Sequence, residues 1–225
     1  MNDIIHLILT LVCCYLLGSI LFGLILAESA YGVDIRQLGS GNVGFTNIKR
    51  VLGWKPAILV LVLDALKGML AVMLSRHVFT PGDYGGLSAT LVVLGGVLSI
   101  IGHNWSAFSK FEGGKGVATS LGVLIALDWR AAVIALVIGF PLLVYPGYMS
   151  LASMVGTATV PISFWILKDP VPYGVFGVIV LIFVLIRHRE NIDRLRKGTE
   201  SRFSFGSRTA APPKPPGGSL NEEGT

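Results

Sequence analysis

From Lys55 to Arg76 the chain reads KPAILVLVLDALKGMLAVMLSR, with only Asp64 and Lys67 charged between its ends. A helix of about 20 apolar residues crosses about 30 Å of hydrocarbon, so this run is long enough to span a membrane. The strict alternation of an outer-membrane strand is absent, so the span is expected as a helix. At the centre of a bilayer each charge costs about 2.5–3.5 kcal/mol on insertion scales. Asp64 and Lys67 are three residues apart and share a helix face, which favours an ion pair or a polar link to a neighbouring helix.

Similar runs lie on both sides, at about 4–27, 86–102, 116–128, 130–145, 150–167 and 173–187. Mean hydropathy is +0.71, and 52% of residues are hydrophobic against 14% charged. These values exclude an ordinary soluble domain. The expected fold is an all-α integral membrane protein with seven transmembrane helices, some of them short. Run 116–128 would rise only about 20 Å, so it must tilt, extend into its flanks or re-enter. No Lys or Arg precedes Arg36, so the first run lacks the basic start of a signal peptide and is expected to stay as a span. Cys13 and Cys14 are adjacent within that run and read as small apolar filler. Residues 1–205 form one expected membrane domain. The Pro-, Gly- and Ser-rich 206–225 is expected to be a disordered tail.

Charge sets the orientation. With the N-terminus outside, Arg36, Lys49, Arg50, Lys55, Lys110 and Lys115 fall in inner loops. The C-terminal segment adds Arg187, Arg189, Arg194, Arg196, Lys197, Arg202, Arg208 and Lys214. Only Arg76, Arg130 and Lys168 lie outside, and Lys67 lies within a span. Such an excess places the N-terminus outside and the C-terminus in the cytoplasm. The net charge of +5 is thereby explained by topology, and nucleic acid is not an expected partner.

The same assignment gathers three polar clusters on the cytoplasmic side. The first runs through Gly39, Ser40, Gly41, Asn42, Gly44, Thr46 and Asn47 to Arg50. Its glycines allow backbone geometries that a side chain blocks, and the guanidinium of Arg50 forks onto phosphate. It reads equally as a capped glycine turn before a helix. The second starts at Gly102-His103-Asn104 and continues through Gly113, Gly114, Lys115 and Gly116 to Thr119. Here backbone donors and a helix N-terminus can face one anion. The Walker A spacing fails, so nucleotide hydrolysis is not implied. The third is His188-Arg189-Glu190-Asn191, with His188 and Asn191 on one helix face. His188 and Asp193 also match a His-x4-Asp acyltransferase pattern, but on a continuous helix they point about 140° apart. His6, His77, His103 and the few acids show no metal-ligand spacing, so neither metal nor cofactor is expected.

Taken in order, the clusters resemble the bacterial membrane glycerol-3-phosphate acyltransferases that use acyl phosphate, the PlsY family. The resemblance runs from about Leu16 to Phe203 and includes Gly198-Thr199-Glu200. It implies seven helices, cytoplasmic motifs and a place in the bacterial inner membrane. It implies transfer of a fatty acyl group from acyl phosphate to the 1-hydroxyl of glycerol 3-phosphate, releasing inorganic phosphate, among membrane lipids. Ser40, Arg50, Lys115, His188 and Asn191 match the family's phosphate-holding residues, and Gly113 to Gly116 its phosphate loop. Gly39, Gly41, Asn42, Thr46, Asn47 and Thr119 belong to the expected substrate site. Two positions depart from the pattern: Phe45 replaces a small residue and Ser106 a proline. The proton acceptor is either a substrate phosphate or His188. A phosphorylated-metabolite transporter would instead put polar groups at midplane in paired broken spans, and a scaffold protein would leave the recurring glycine–cation pairs unexplained.

Overall fold

The computed structural model describes residues 2–206. Apart from Gly206, the expected disordered tail lies outside the described residues. The chain forms α1 (Asn2–Ser19), α2 (Phe22–Tyr31), α3 (Phe45–Leu52), α4 (Trp54–Val78), α5 (Pro81–Tyr84), α6 (Ser88–Asn104), α7 (Val117–Val144), α8 (Met149–Ala158), α9 (Val160–Ile166), α10 (Val171–Arg187) and α11 (Arg189–Arg196). Two 3-10 turns, Ile35–Gln37 and Gly85–Leu87, complete the order, and no strand occurs among the described residues.

Solvent preference is inverted on these helices. On α4, Ile58, Leu59, Val62, Leu66 and Met73 are exposed, whereas Asp64 and Lys67 are each 1% exposed. A water-soluble protein would place these groups the other way round; a lipid-facing helix does this because hydrocarbon solvates leucine and not charge. Trp54–Val78, Pro81–Asn104, Val117–Val144 and Met149–Ile166 are long and apolar enough to cross a membrane. The bent pairs α1–α2 and α10–α11 raise that number to six. The fold is therefore an all-helical integral membrane bundle. Close approach of α4 and α7 depends on Gly68 and Gly122, where any Cβ would lie 2.2 Å from the Thr119 carbonyl or 1.8 Å from that of Ala65.

Two boundaries refine the expected runs. The first, 4–27, is not one helix: the chain breaks at Ile20–Leu21 and bends by 44°. Gly18 and Ser19 precede the bend, with the Ser19 hydroxyl bonded back to the Tyr15 carbonyl, and Lys67 Nζ donates to the Ile20 carbonyl at 2.5 Å and satisfies the acceptor that the break frees. In α7, Asp128 has extended dihedrals (φ −153°, ψ 110°), at the point separating runs 116–128 and 130–145. Its carboxylate accepts from the Arg130 backbone N–H at 2.7 Å and so restarts the helix. A straight helix of this length would part its ends by about 42 Å. Instead Lys115 and Ser150, just beyond those ends, are joined through Asn191 and Glu200 by three hydrogen bonds. The chain folds back at Asp128.

Candidate active site

The first cluster folds around its own amides. Asn47, 1% exposed, accepts from the Ser40 N–H at 2.8 Å and donates to the carbonyls of Leu38 (2.9 Å) and Ile35 (3.3 Å). Asn42 accepts from the Gly44 N–H at 2.9 Å. Gly39 takes φ +61°, and a side chain there would strike the Asn47 amide. Asn42 and Asn47 thus shape the loop. The side chains of Ser40 and Arg50 make no hydrogen bond or ion pair among the described residues, and both line the main cavity.

The glycine loop is held from two sides. Arg187 donates to the carbonyls of Gly113 (2.8 Å) and Gly114 (2.9 Å), while its guanidinium lies 5.7 Å from the Trp105 ring centre. The Gly114 N–H donates to the His103 carbonyl at 3.0 Å. The His103 ring covers Gly114 so closely that a Cβ would meet Nε2 at 2.1 Å. With its carbonyls engaged, the loop leads into α7, whose first N–H groups have no intrahelical acceptor. Its partial positive end and Lys115 face the same space. Lys115 donates to Asn191 Oδ1. Burial lowers its ammonium to about 8, a shift that Glu200 opposes.

His188 sits at the 62° bend between α10 and α11. It is 3% exposed, and its Nδ1–H donates to the Val184 carbonyl at 2.8 Å. Burial, and then the charge of Lys115, push its pKa down to about 4. At neutral pH the ring is therefore uncharged, with Nε2 free to accept a hydrogen bond. The bend does not revive the His188–Asp193 pairing, because Asp193 is exposed and pairs with Lys197 at 2.8 Å.

All five expected catalytic positions, Ser40, Arg50, Lys115, His188 and Asn191, line one cavity of about 1070 Å³. So do Gly39, Gly41, Asn42, Thr46, Asn47, Gly113 and Gly116. Two expected substrate positions do not. Gly114 is occupied by packing against His103, and Thr119 is fully buried where α7 meets Gly68 of α4. From the polar end the cavity continues into an apolar region lined by Leu124, Leu136, Phe140, Val160, Phe176 and Val180. One space thus joins anion-binding groups to a hydrocarbon-like slot.

Three participants went unassigned in the sequence reading. Glu200 accepts from Ser150 (2.6 Å), Asn191 (2.6 Å) and Arg194 (2.9 Å). Burial raises its pKa, but these donors and the Arg194 charge outweigh burial and hold it below the usual range. Arg187 clamps the glycine loop. His103 joins the expected Asp64–Lys67 pair (2.8 Å) through Lys67 Nζ at 2.9 Å. All three stood in or beside the motifs, Glu200 in Gly198-Thr199-Glu200, His103 at the start of the second cluster and Arg187 next to the third, but none was given its part. The two departures also have places. Phe45 enters an aromatic cluster with Trp54 and Phe203. Ser106 donates to the Ser19 carbonyl at 2.6 Å and accepts from the Phe108 N–H, stiffening its turn with a hydroxyl.

Comparison with known proteins agrees with this geometry. The family model described as glycerol-3-phosphate acyltransferase matches residues 8–198. The glycerol-3-phosphate acyltransferase of Halalkalibacterium halodurans is 45% identical over 193 residues, 84% of this chain and 91% of the relative. That of Nostoc sp. strain PCC 7120 is 40% identical over 199 residues, 84% and 88% of the two chains. Among solved structures, the integral membrane glycerol 3-phosphate acyltransferase PlsY (YgiH) in its glycerol 3-phosphate form aligns with TM-score 0.81 at 36% identity, covering 88% of this chain and 96% of that one. Its lysophosphatidic acid form aligns with TM-score 0.79 at the same identity, covering 88% and 95%. The cavity that pairs fixed cations with an apolar slot thus sits in an acyltransferase, and this chain belongs to the glycerol-3-phosphate acyltransferase family.

Proposed function

We propose that the protein transfers a fatty acyl group from acyl phosphate to the 1-hydroxyl of sn-glycerol 3-phosphate, yielding 1-acylglycerol 3-phosphate and inorganic phosphate. The observation that carries this reading is the single cavity joining Arg50, Ser40 and Lys115 to the apolar slot. The glycerol 3-phosphate and lysophosphatidic acid forms of the PlsY structure supply the acceptor and product by likeness. The hydroxyl oxygen bonds to the acyl carbon, the bond from that carbon to the phosphate oxygen breaks, and its electron pair leaves on phosphate. Arg50 and Ser40 hold one phosphate. Lys115, Asn191 and the backbone donors at Gly116 and the start of α7 hold the other, where they offset the repulsion of two anions and stabilise the leaving group. The hydroxyl proton passes to a substrate phosphate, because a phosphate monoester with a second pKa of about 6 is a stronger base than His188 at about 4. His188 then positions the acceptor.

The reading includes seven crossings, made by α1–α2, α4, α6, each half of α7, α8–α9 and α10. The fold-back at Asp128 supports counting α7 twice. The basic residues around Arg50, Lys115 and Arg189 support a cytoplasmic site, with the N-terminus outside and the chain in a bacterial inner membrane.

The test is the purified protein in lipid vesicles, offered glycerol 3-phosphate with either acyl phosphate or acyl-CoA. Lysophosphatidate and free phosphate should appear together from acyl phosphate alone. Product from acyl-CoA only would replace the donor. Uptake of glycerol 3-phosphate into sealed vesicles without acylation would replace the reaction.

A further inference from the structure

The family match ends at Gly198, and the following segment, Thr199 to Gly206, crosses the polar end of the cavity. Four anchors hold it. Glu200 bonds to α8 and α11 through Ser150, Asn191 and Arg194. Arg202 lies 6.0 Å over the Tyr148 ring. The Phe203 N–H donates to the Gly147 carbonyl at 2.7 Å, in the turn between α7 and α8. Lys49 on α3 donates to the carbonyls of Ser204 and Gly206. The backbone therefore runs as a strap from α11, past the α7–α8 turn, to α3.

Aromatic rings fasten its far half. Phe203 stacks on Phe45 with centres 6.1 Å apart, meets Trp54 edge-on at 5.8 Å and touches Phe205 at 5.1 Å. Lys49 Nζ, on a residue only 7% exposed, lies 5.1 Å from the Trp54 centre and 5.0 Å from that of Phe203. Ser201, Phe203 and Phe205 line the cavity beside Arg50 and Thr46. The Phe45–Phe203 stack exists because this chain carries phenylalanine where the family resemblance leads one to expect a small side chain.

On the acyl-transfer reading, this strap stands where it bears on a chemical choice. An activated acyl carbon can be attacked by water as well as by glycerol 3-phosphate. In the side reaction the water oxygen bonds to the acyl carbon and the carbon–phosphate oxygen bond breaks. Phosphate leaves with the electron pair and takes a proton from the attacking water, giving fatty acid and phosphate. Water has no phosphate with which to draw binding energy from Arg50, so only the intended acceptor can offset the cost of disturbing the strap.

We propose that the strap Thr199–Gly206, latched by Lys49 and the Phe45–Phe203 stack, sets acceptor specificity by keeping water from the acyl donor. The full chain in phosphatidylcholine vesicles is given palmitoyl phosphate and glycerol 3-phosphate, and free palmitate and lysophosphatidate are counted. Phe203→Ala should raise the palmitate-to-lysophosphatidate ratio roughly tenfold by admitting water. Phe45→Ser and Lys49→Met should raise it less, and Phe203→Tyr should leave it at the wild-type value. Phe45→Ser removes only a ring at the start of α3, so it decides the matter where Phe203→Ala does not fold. A strap that merely stabilises the bundle would lower both products in proportion, and an unchanged ratio in Phe45→Ser and Lys49→Met with transfer intact overturns the proposal. Wild-type protein that releases no lysophosphatidate from palmitoyl phosphate would overturn the acyl-transfer reading, and the strap's role with it.

Discussion

The two ends of the bundle both gather charged side chains, but in opposite states. At one end Arg130 wraps Asp128 with contacts of 2.5–3.0 Å and lies 3.9 Å from Asp169. Arg76 there is bonded to the Leu127 carbonyl and the Tyr173 hydroxyl. At the other end Arg50 and the Ser40 hydroxyl have no partner among the described residues, and His188 keeps an unused ring nitrogen facing the cavity. One end spends its charges holding a turn closed. The other pairs Lys115, Arg187 and Glu200 but keeps Arg50 and Ser40 available in a space lined by hydrocarbon on its far side. Residue type alone therefore does not mark a site; unmet hydrogen-bonding capacity beside a cavity does.

Breaking the open end should cost most. Arg50→Lys and Lys115→Met are each expected to lower kcat/KM by roughly 10²–10³-fold, since a preorganised donor to phosphate is lost. Steady-state kinetics together with thermal unfolding check this, and the unfolding temperature should hardly move. His188→Ala should raise KM for glycerol 3-phosphate by roughly 10–100-fold without a new ionisation in the pH profile, as expected of a positioning group. Loss of kcat at every pH with normal KM would make His188 the base instead.

A finer comparison uses pH. The Lys115 ammonium loses its proton as pH rises through about 8, so kcat/KM should fall above that pH, as the free enzyme loses the cation proposed to bind phosphate. Lys115→Arg, if it retains activity, should carry the falling limb to higher pH. Glu200→Gln keeps the shape but loses the charge facing Arg194, and should cost roughly tenfold in kcat/KM through a misplaced Asn191. Asp128→Asn, at the closed end, should change kcat/KM by less than roughly threefold while lowering the unfolding temperature, because its only role is to turn the chain.

What was legible in the sequence was local. The break at Asp128 could be seen because Asp128, Trp129 and Arg130 interrupt an apolar run, and the Asp64–Lys67 pair because its spacing fixes a shared face. The first two clusters stood out because glycine and a fixed cation recur together, and the third because His188 and Asn191 share a helix face. The break at Ile20–Leu21 was marked only by Gly18-Ser19 just before it and Gly23 just after, inside an otherwise apolar run, and the group that compensates it is Lys67, on another helix. His103 and Arg187 stood in or beside the second and third clusters, but the parts they play could not be read there. Each acts on backbone or side chains far away in sequence, and no spacing rule encodes that. Gly114 and Thr119 show the converse, since motif membership pointed to ligand contact where the structure packs them against His103 and Gly68.

The bond from Lys67 to the Ile20 carbonyl has an evolutionary consequence. Changing Lys67 alone to an apolar residue would strand the Asp64 carboxylate and that carbonyl together in a dry interior, and exchanging Asp64, Lys67 and His103 at once for packed hydrocarbon would remove the stranded charge but still leave the carbonyl without its donor. No neutral single step leads from one arrangement to the other. The triad is expected to behave as one unit, in which loss of any member leaves the others without a partner.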